Sequence, residues 1–231
     1  MIIKVDGMRE PENIREVTEL GVDMIGLDFR KESSRYVGMV SSNAGFIPDY
    51  SVYSENENCT EWGRRVGVFA DDMPQNIITR IYNYHLDCVQ LNGGESRVMI
   101  ENLRSTVVPD ISKKLTIIKT LRLADENDVM LWREYADCAD MLLFCGKGDE
   151  GDGCVSRFDW HLLSAYDGNI PFIIGGGIVE SDAAEIKKIN HPMFAGIDLD
   201  EGFETQPAVK DVSRIRHFID ELTADITAEN R

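Results

Sequence analysis

Residues 171–199, PFIIGGGIVESDAAEIKKINHPMFAGIDL, decide how the rest of the chain is read. Pro171-Phe172-Ile173-Ile174 is an apolar run suited to a strand buried on both faces, and Gly175, Gly176 and Gly177 turn the chain out of it. A helix is predicted over Ser181 to Lys188, and Phe194-Ala195-Gly196-Ile197-Asp198-Leu199 is a second buried strand. Strand, glycine turn, helix and strand make one parallel crossover unit. The same unit recurs upstream. Ile2-Ile3-Lys4-Val5, Asp23 to Phe29, Arg65 to Phe69, Cys88 to Leu91, Leu115 to Leu121 and Met141 to Cys145 are further apolar runs, the first of them largely β-branched. Helical spacing appears after Pro11, through Gln75 to Tyr84, Asn127 to Tyr135, from Phe158-Asp159-Trp160 onward, and over Val212 to Leu222. Counted this way the strands at 171 and 194 are the seventh and eighth. A doubly wound open sheet usually stops near six strands, so the count predicts an α/β chain folded as a single-domain (βα)8 TIM barrel over 1–231. One stretch breaks the rhythm: residues 41–63, rich in Ser, Asn, Glu and Tyr and without periodicity, read as a loop or insertion.

Composition narrows the partners. The net charge of −17 on 231 residues repels nucleic acid and anionic membranes, and no apolar run approaches the ~20 residues of a membrane span. The chain starts directly on a strand rather than a basic, apolar leader, so a cytoplasmic protein is expected. Cys59, Cys88, Cys138, Cys145 and Cys154 are odd in number and contain no C-x-x-C pair, which argues against a disulfide framework and against a zinc site. No metal or cofactor is expected. Oligomeric state, monomer or homodimer, is not written in these patterns.

In a barrel the residues that follow the strands share one face, the face that carries chemistry. Asp6, Arg35, Asn92, Cys145, the Gly175 to Gly177 turn and the Asp198 to Gly202 loop are therefore expected to converge. A glycine turn after the seventh strand with a glycine-containing loop after the eighth is the usual phosphate seat of such barrels, which marks Gly176, Gly177 and Gly202. Arg35 can hold a carboxylate through both arms of its guanidinium.

IIKVDGMREPENI, GVDMIGLDF leading to SSRYV, RVGVFADD, LDCVQLNGGES, FDW, PFIIGGGI and GIDLDEGFETQPAVKD, in this order and spacing, resemble the phosphoribosylanthranilate isomerases of tryptophan biosynthesis over nearly the whole chain. The resemblance implies a TIM barrel that converts a phosphorylated small-molecule aminoaldose to an aminoketose by an Amadori rearrangement without cofactor or metal. It further implies that Asp6 and Cys145 stand at the two catalytic positions, that Arg35, Asn92 and Asp198 contact substrate, and that Gly176, Gly177 and Gly202 hold the phosphate. Four departures accompany it. The family's general base is a cysteine where this chain has Asp6, and its general acid an aspartate where this chain has Cys145. Asn92 replaces a histidine, and Asp200 and Glu201 replace serines. An ordinary aspartate is ionised and an ordinary cysteine protonated near neutral pH, so the exchanged pair already has a base form and an acid form. The alternative reading is a diverged, non-catalytic barrel that binds another small phosphorylated ligand.

Overall fold

The computed structural model of the protein describes residues 1–38, 63–108, 110–112, 114–148 and 156–224. Strands β1 (Ile2–Val5), β2 (Met24–Asp28), β3 (Arg64–Phe69), β4 (Cys88–Leu91), β5 (Thr116–Leu123), β6 (Met141–Gly146), β7 (Phe172–Ile174) and β8 (Phe194–Leu199) close into a barrel in sequence order, with β8 returning to β1. Every neighbouring pair is parallel. The barrel, not the doubly wound sheet, is the architecture. The expected insertion at 41–63 lies outside the described residues except for Gly63.

Closure follows from strands that are apolar on both faces. Ile25 and Leu27 of β2 join the outer core, with Ile14 and Val17 of α1 (Pro11–Thr18), Ile77 and Ile81 of α2 (Pro74–Tyr84), and Ile215, Phe218 and Leu222 of the closing helix (Val212–Thr223). Met24, Val66, Cys88, Ile118, Met141, Leu143, Cys145 and Ile173 face inward and fill the barrel. Since side chains alternate along a strand, an inward Met24 places Asp28 on the inner face, and an inward Ile118 does the same for Thr120 and Arg122. The fully buried Lys4 lies on that inner face too, held there by the groups it meets above the apolar layer.

Some boundaries differ from the sequence pattern. Between β4 and β5, where the pattern names no element, helix α3 runs over Arg97–Val107; Ser96 caps it by accepting from Met99 N at 3.3 Å, and Ile100, Leu103 and Val107 are its buried stripe. Strand β5 continues past Leu121 to Leu123, because β6 also reaches Gly146 and offers ladder partners; Arg122 pairs in register with Cys145. The helix expected over 127–135 is α4 (Glu126–Met130) followed by a 3₁₀ turn over Leu131–Tyr135, the one expected after Phe158 is a 3₁₀ turn (Trp160–Ala165), and the one at 181–188 is a 3₁₀ turn (Glu180–Asp182) leading into α5 (Ala183–Ile186). After β8 a short antiparallel hairpin, β9 (Glu204–Gln206) and β10 (Val209–Lys210), precedes the closing helix α6. Asn13 pins it to α1, donating to Lys210 O at 2.9 Å and accepting from Lys210 N at 2.7 Å.

Candidate active site

Asp6 leaves β1 at the carboxyl end of the barrel, with its backbone N–H bound to Leu199 O at 2.8 Å. Lys4, two residues earlier and so on the same inner face, reaches up with Nζ 3.0 Å from Asp6 Oδ2 and 2.9 Å from each carboxylate oxygen of Asp198 on β8. The register that opposes Lys4 to Asp198 makes this contact possible. Gly7 N donates to Asp6 Oδ1 at 2.9 Å. Gly26 on β2 makes room: a Cβ there would collide with Asp6 Oδ1.

Two aspartates sharing one ammonium do not titrate alike. Burial pushes Asp6 toward the neutral form, but Lys4 and the Gly7 N–H outweigh it and hold Asp6 below the usual carboxylate range. Asp198 is pushed up to about 8, by burial first and then by the charges of Asp6 and Asp200, against the pull of Lys4. Lys4 itself is raised, its burial overcome by the two carboxylates. The cluster therefore keeps Asp6 ionised and one proton on the Asp198 side near neutral pH.

Beside this cluster lies an acidic collar. Glu204, just past β8, accepts from Arg35 Nε and Nη2 at 2.7 Å each, a bidentate grip, and from Lys210 Nζ at 2.9 Å. Asp200 lies 3.3 Å from Arg35 Nε and 3.1 Å from Lys210 Nζ, and Glu201 lies 3.7 Å from Arg35 Nη2. Asp200 is thus turned inward, drawn by Arg35 and Lys210, while Glu201 remains half exposed. Arg35 passes over Gly7, where a Cβ would meet its Cδ, and Gly7 adopts a φ of +68°. Arg30 is likewise forked onto Asp28, at 2.9 and 2.7 Å.

The other side of the mouth is built differently. Asn92, buried, spends its side-chain oxygen on Gln90 Nε2 at 2.9 Å and Thr120 Oγ1 at 2.6 Å. Cys145 is fully buried at the end of β6. The sequence argues against a disulfide framework, yet the Cys145 sulfur is disulfide-bonded. Sequence spacing could not foresee this, since pairing depends on which loops meet and not on their separation along the chain. In this form the sulfur has no proton to donate. Cys88 and Cys138 are buried thiols, and burial pushes Cys88 up to about 12.

Gly176 and Gly177 take left-handed conformations that glycine adopts without strain, with φ of +82° and +63°, and a Cβ on Gly202 would strike Ile178 O. Backbone N–H groups in such a turn are available to an anion. Among the described residues no group of three or more His, Cys, Asp or Glu side chains is arranged to hold a metal, and no helix is long and apolar enough to cross a membrane.

Asp6, Asn92, Cys145 and Asp198 therefore lie at the carboxyl ends of β1, β4, β6 and β8 on one barrel mouth, with the Arg35 side chain over Gly7. Lys4, Asp28, Glu204, Lys210 and Arg122 were not marked by pattern reading. The one signal for Lys4 was its place two residues before Asp6, which puts both on one face of a strand.

Comparison with known proteins agrees with this fold. The profile of the family described as "PRAI: N-(5'phosphoribosyl)anthranilate (PRA) isomerase" matches residues 3–221. The N-(5'-phosphoribosyl)anthranilate isomerase of Parabacteroides distasonis is 35% identical over 222 residues, covering 96% of this chain and 93% of its own, and that of Phocaeicola vulgatus is 34% identical over 226 residues, covering 98% and 100%. Among solved structures, a phosphoribosyl anthranilate isomerase in complex with reduced 1-(o-carboxyphenylamino)-1-deoxyribulose 5-phosphate superposes with a TM-score of 0.73 at 22% identity, covering 97% of this chain and 100% of that one. The dimeric enzyme of Thermotoga maritima, solved as generated monomers, superposes with the same score, identity and coverage.

Proposed function

The chain belongs to the N-(5'-phosphoribosyl)anthranilate isomerase family, and from that premise we propose that its barrel mouth performs the family's aldose to ketose rearrangement with Asp6 as general base and the Cys145 thiol, once reduced, as general acid. The isomerase activity places it in tryptophan biosynthesis. The observation that carries the assignment of roles is the Asp6 carboxylate, fixed at the mouth by Lys4 and Gly7 N–H and kept ionised by them.

The reaction needs two proton transfers. An acid protonates the ribose ring oxygen as its bond to C1′ breaks, and a base then takes the proton from C2′, leaving an enolamine that becomes the ketone by proton return. Asp6 is ionised throughout the working range, so no fraction of it waits in the wrong form. The cost is basicity: a carboxylate held below its ordinary range pulls a carbon-bound proton weakly, and the reaction depends on close placement to compensate. Asp198, beside it and carrying a proton, shields Asp6 from a second negative charge.

The phosphate is assigned to the turns at Gly176, Gly177 and Gly202, whose φ values and crowding leave backbone N–H groups rather than side chains to meet it. Asn92 and Asp198 line the space between, and Arg35 reaches a ligand only by exchanging Glu204. The protein works on a small phosphorylated substrate in the cytoplasm as one TIM-barrel domain, as a monomer or homodimer.

The test is turnover of phosphoribosylanthranilate by the purified full chain, measured with and without a thiol reductant. Activity that appears in the reduced protein supports the reading. A reduced, folded protein without turnover removes it, and the diverged binding protein becomes the better account.

A further inference from the structure

Ile118 fills the barrel and Thr120 binds Asn92, so alternation along β5 puts Arg122 on the same inner face, one step nearer the mouth. Its register partner on β6 is Cys145, also an inward residue. Neighbouring strands lie about 4.8 Å apart and paired residues point the same way, so the arginine stem runs beside the sulfur. The other cations of the mouth have carboxylates: Lys4 has Asp6 and Asp198, Arg30 has Asp28, and Arg35 and Lys210 share Glu204 and Asp200. The buried Nε of Arg122 has no partner among the described residues. A guanidinium cannot shed its charge, and an unmet N–H out of water is costly, so this donor calls for an anion.

The neighbour able to become that anion is Cys145. We propose that Arg122 is a positioning residue of the isomerase site, its guanidinium holding the thiolate that reduced Cys145 becomes when it gives its proton to the substrate; this rests on the isomerase reading given above. The elements around the sulfur leave that task to Arg122. β7 brings Ile173 and then Gly175, whose N–H bonds to Phe144 O at 2.9 Å, and neither carries charge. On β6 and just beyond it the next charge is Lys147, 61% exposed and 4.0 Å from Asp128. The stretch paired to Gly146 brings Arg157, whose guanidinium is held by Asp182 and Glu185. Asp6 and Asp198, on β1 and β8, share Lys4.

The reaction needs such a partner because burial works against a thiol that must give up its proton. Cys88, in the same inner layer, shows the effect: burial pushes it up to about 12, and Arg64, which donates to Thr116 Oγ1, offsets only part of that. A guanidinium beside the sulfur favours the thiolate and so makes the thiol a stronger acid. The proton goes to the ribose ring oxygen as its bond to C1′ breaks. The thiolate is then reset by a proton from solvent, matching the one the C2′ hydroxyl releases when the enolamine becomes the ketone, so the step balances.

The test is the ultraviolet thiolate absorbance of the reduced full chain, titrated with pH and read as the difference from Cys145→Ala. The wild type rises with a midpoint at or below the ordinary value of about 8.5. Arg122→Gln moves that midpoint up by roughly one to three pH units, the span of one close opposite charge, and Arg122→Lys stays nearer the wild type. In turnover of phosphoribosylanthranilate, Arg122→Gln lowers kcat roughly 10-fold or more with KM little changed, and the alkaline limb of kcat moves to higher pH with the thiol. A merely structural role would lower activity without moving that limb.

An Arg122→Gln midpoint equal to that of the wild type overturns the proposal and leaves the isomerase reading as it stands. A midpoint that moves in a reduced protein without turnover keeps the pairing of Arg122 with Cys145 and removes the isomerase reading. Should Arg122→Gln fail to fold, the wild type decides: a Cys145 midpoint as high as that of Cys88 would mean that Arg122 does not hold the thiolate.

Discussion

The two halves of the barrel mouth solve opposite problems. Around β1, β2 and β8 the cations Lys4, Arg30, Arg35 and Lys210 are saturated by Asp6, Asp198, Asp28, Asp200 and Glu204. Around β4, β5 and β6 the polar groups are sparse: Asn92 leans on Thr120 and Gln90, Cys145 is tied into a disulfide, and the buried Nε of Arg122 has no partner among the described residues. The first half is rigid and already neutralised, suited to holding one carboxylate in a fixed protonation state. The second has unspent interaction capacity, which is what a ligand can use. A site needs both, since groups that are fully satisfied position chemistry well but gain little from binding.

The largest effect is expected from breaking the rigid half at its reacting group. Asp6→Asn keeps the shape and loses the ability to accept a carbon-bound proton, so turnover should fall to the limit of a steady-state assay while phosphoribosylanthranilate still binds. Retention of more than about a hundredth of the activity would move the base elsewhere, since general bases contribute roughly 10²- to 10⁴-fold. On the sparse half, the disulfide at Cys145 should hold activity down: reduction should raise turnover, and Cys145→Ala in reducing conditions should lose roughly 10²- to 10⁴-fold. An oxidised protein as active as the reduced one would take Cys145 out of the mechanism.

Glu204→Gln sharpens the comparison by opening the saturated side. Arg35 and Glu204 are largely buried, with 13% and 8% of their side chains exposed, so removing the charge should cost about 3 kcal/mol of folding stability, the low end for breaking a buried pair because Asp200 stays near both cations. Urea unfolding measures it; an unchanged midpoint would mean the collar is not structural.

The effect of Asp198 is a slope. Burial, with Asp6 and Asp200, raises Asp198 from 3.8 to about 8, so the folded protein keeps a proton that the unfolded chain releases at lower pH. That stabilisation is whole below about pH 4 and is lost progressively as pH climbs through about 8. Asp6, shifted the other way, contributes above its ordinary 3.8 and loses that contribution only as pH falls through its lower folded value, so it adds no slope in this window. Stability measured across pH 4 to 8 should therefore fall less steeply in Asp198→Asn than in the wild type. Parallel curves would mean that Asp198 is ionised when folded.

The arrangement of the chain was legible in its sequence. Eight apolar runs, each too apolar to face water on either side, demand burial on both faces, and a closed barrel wrapped in helices is how eight parallel strands obtain it. Asp6, Asn92, Cys145 and Asp198 could be named because they follow those runs, and strand ends share a face in this fold. Helix α3 was missed although Ser96 and the spacing of Ile100, Leu103 and Val107 signal it. What pattern could not reach was partnership. Arg35 and Arg122 are alike as letters, yet one lies under Glu204 from 169 residues away and the other, on a strand two residues longer than its apolar run, has a buried Nε with no partner among the described residues. Likewise Asp6 and Asp198 are the same residue type at the ends of β1 and β8, and only the register that sets Lys4 between them makes one a persistent anion and the other a proton carrier. Periodicity records which face is apolar, a local property of side chains; the charge state and availability of a polar group depend on its distance to other charges, and those distances exist only after the barrel has closed.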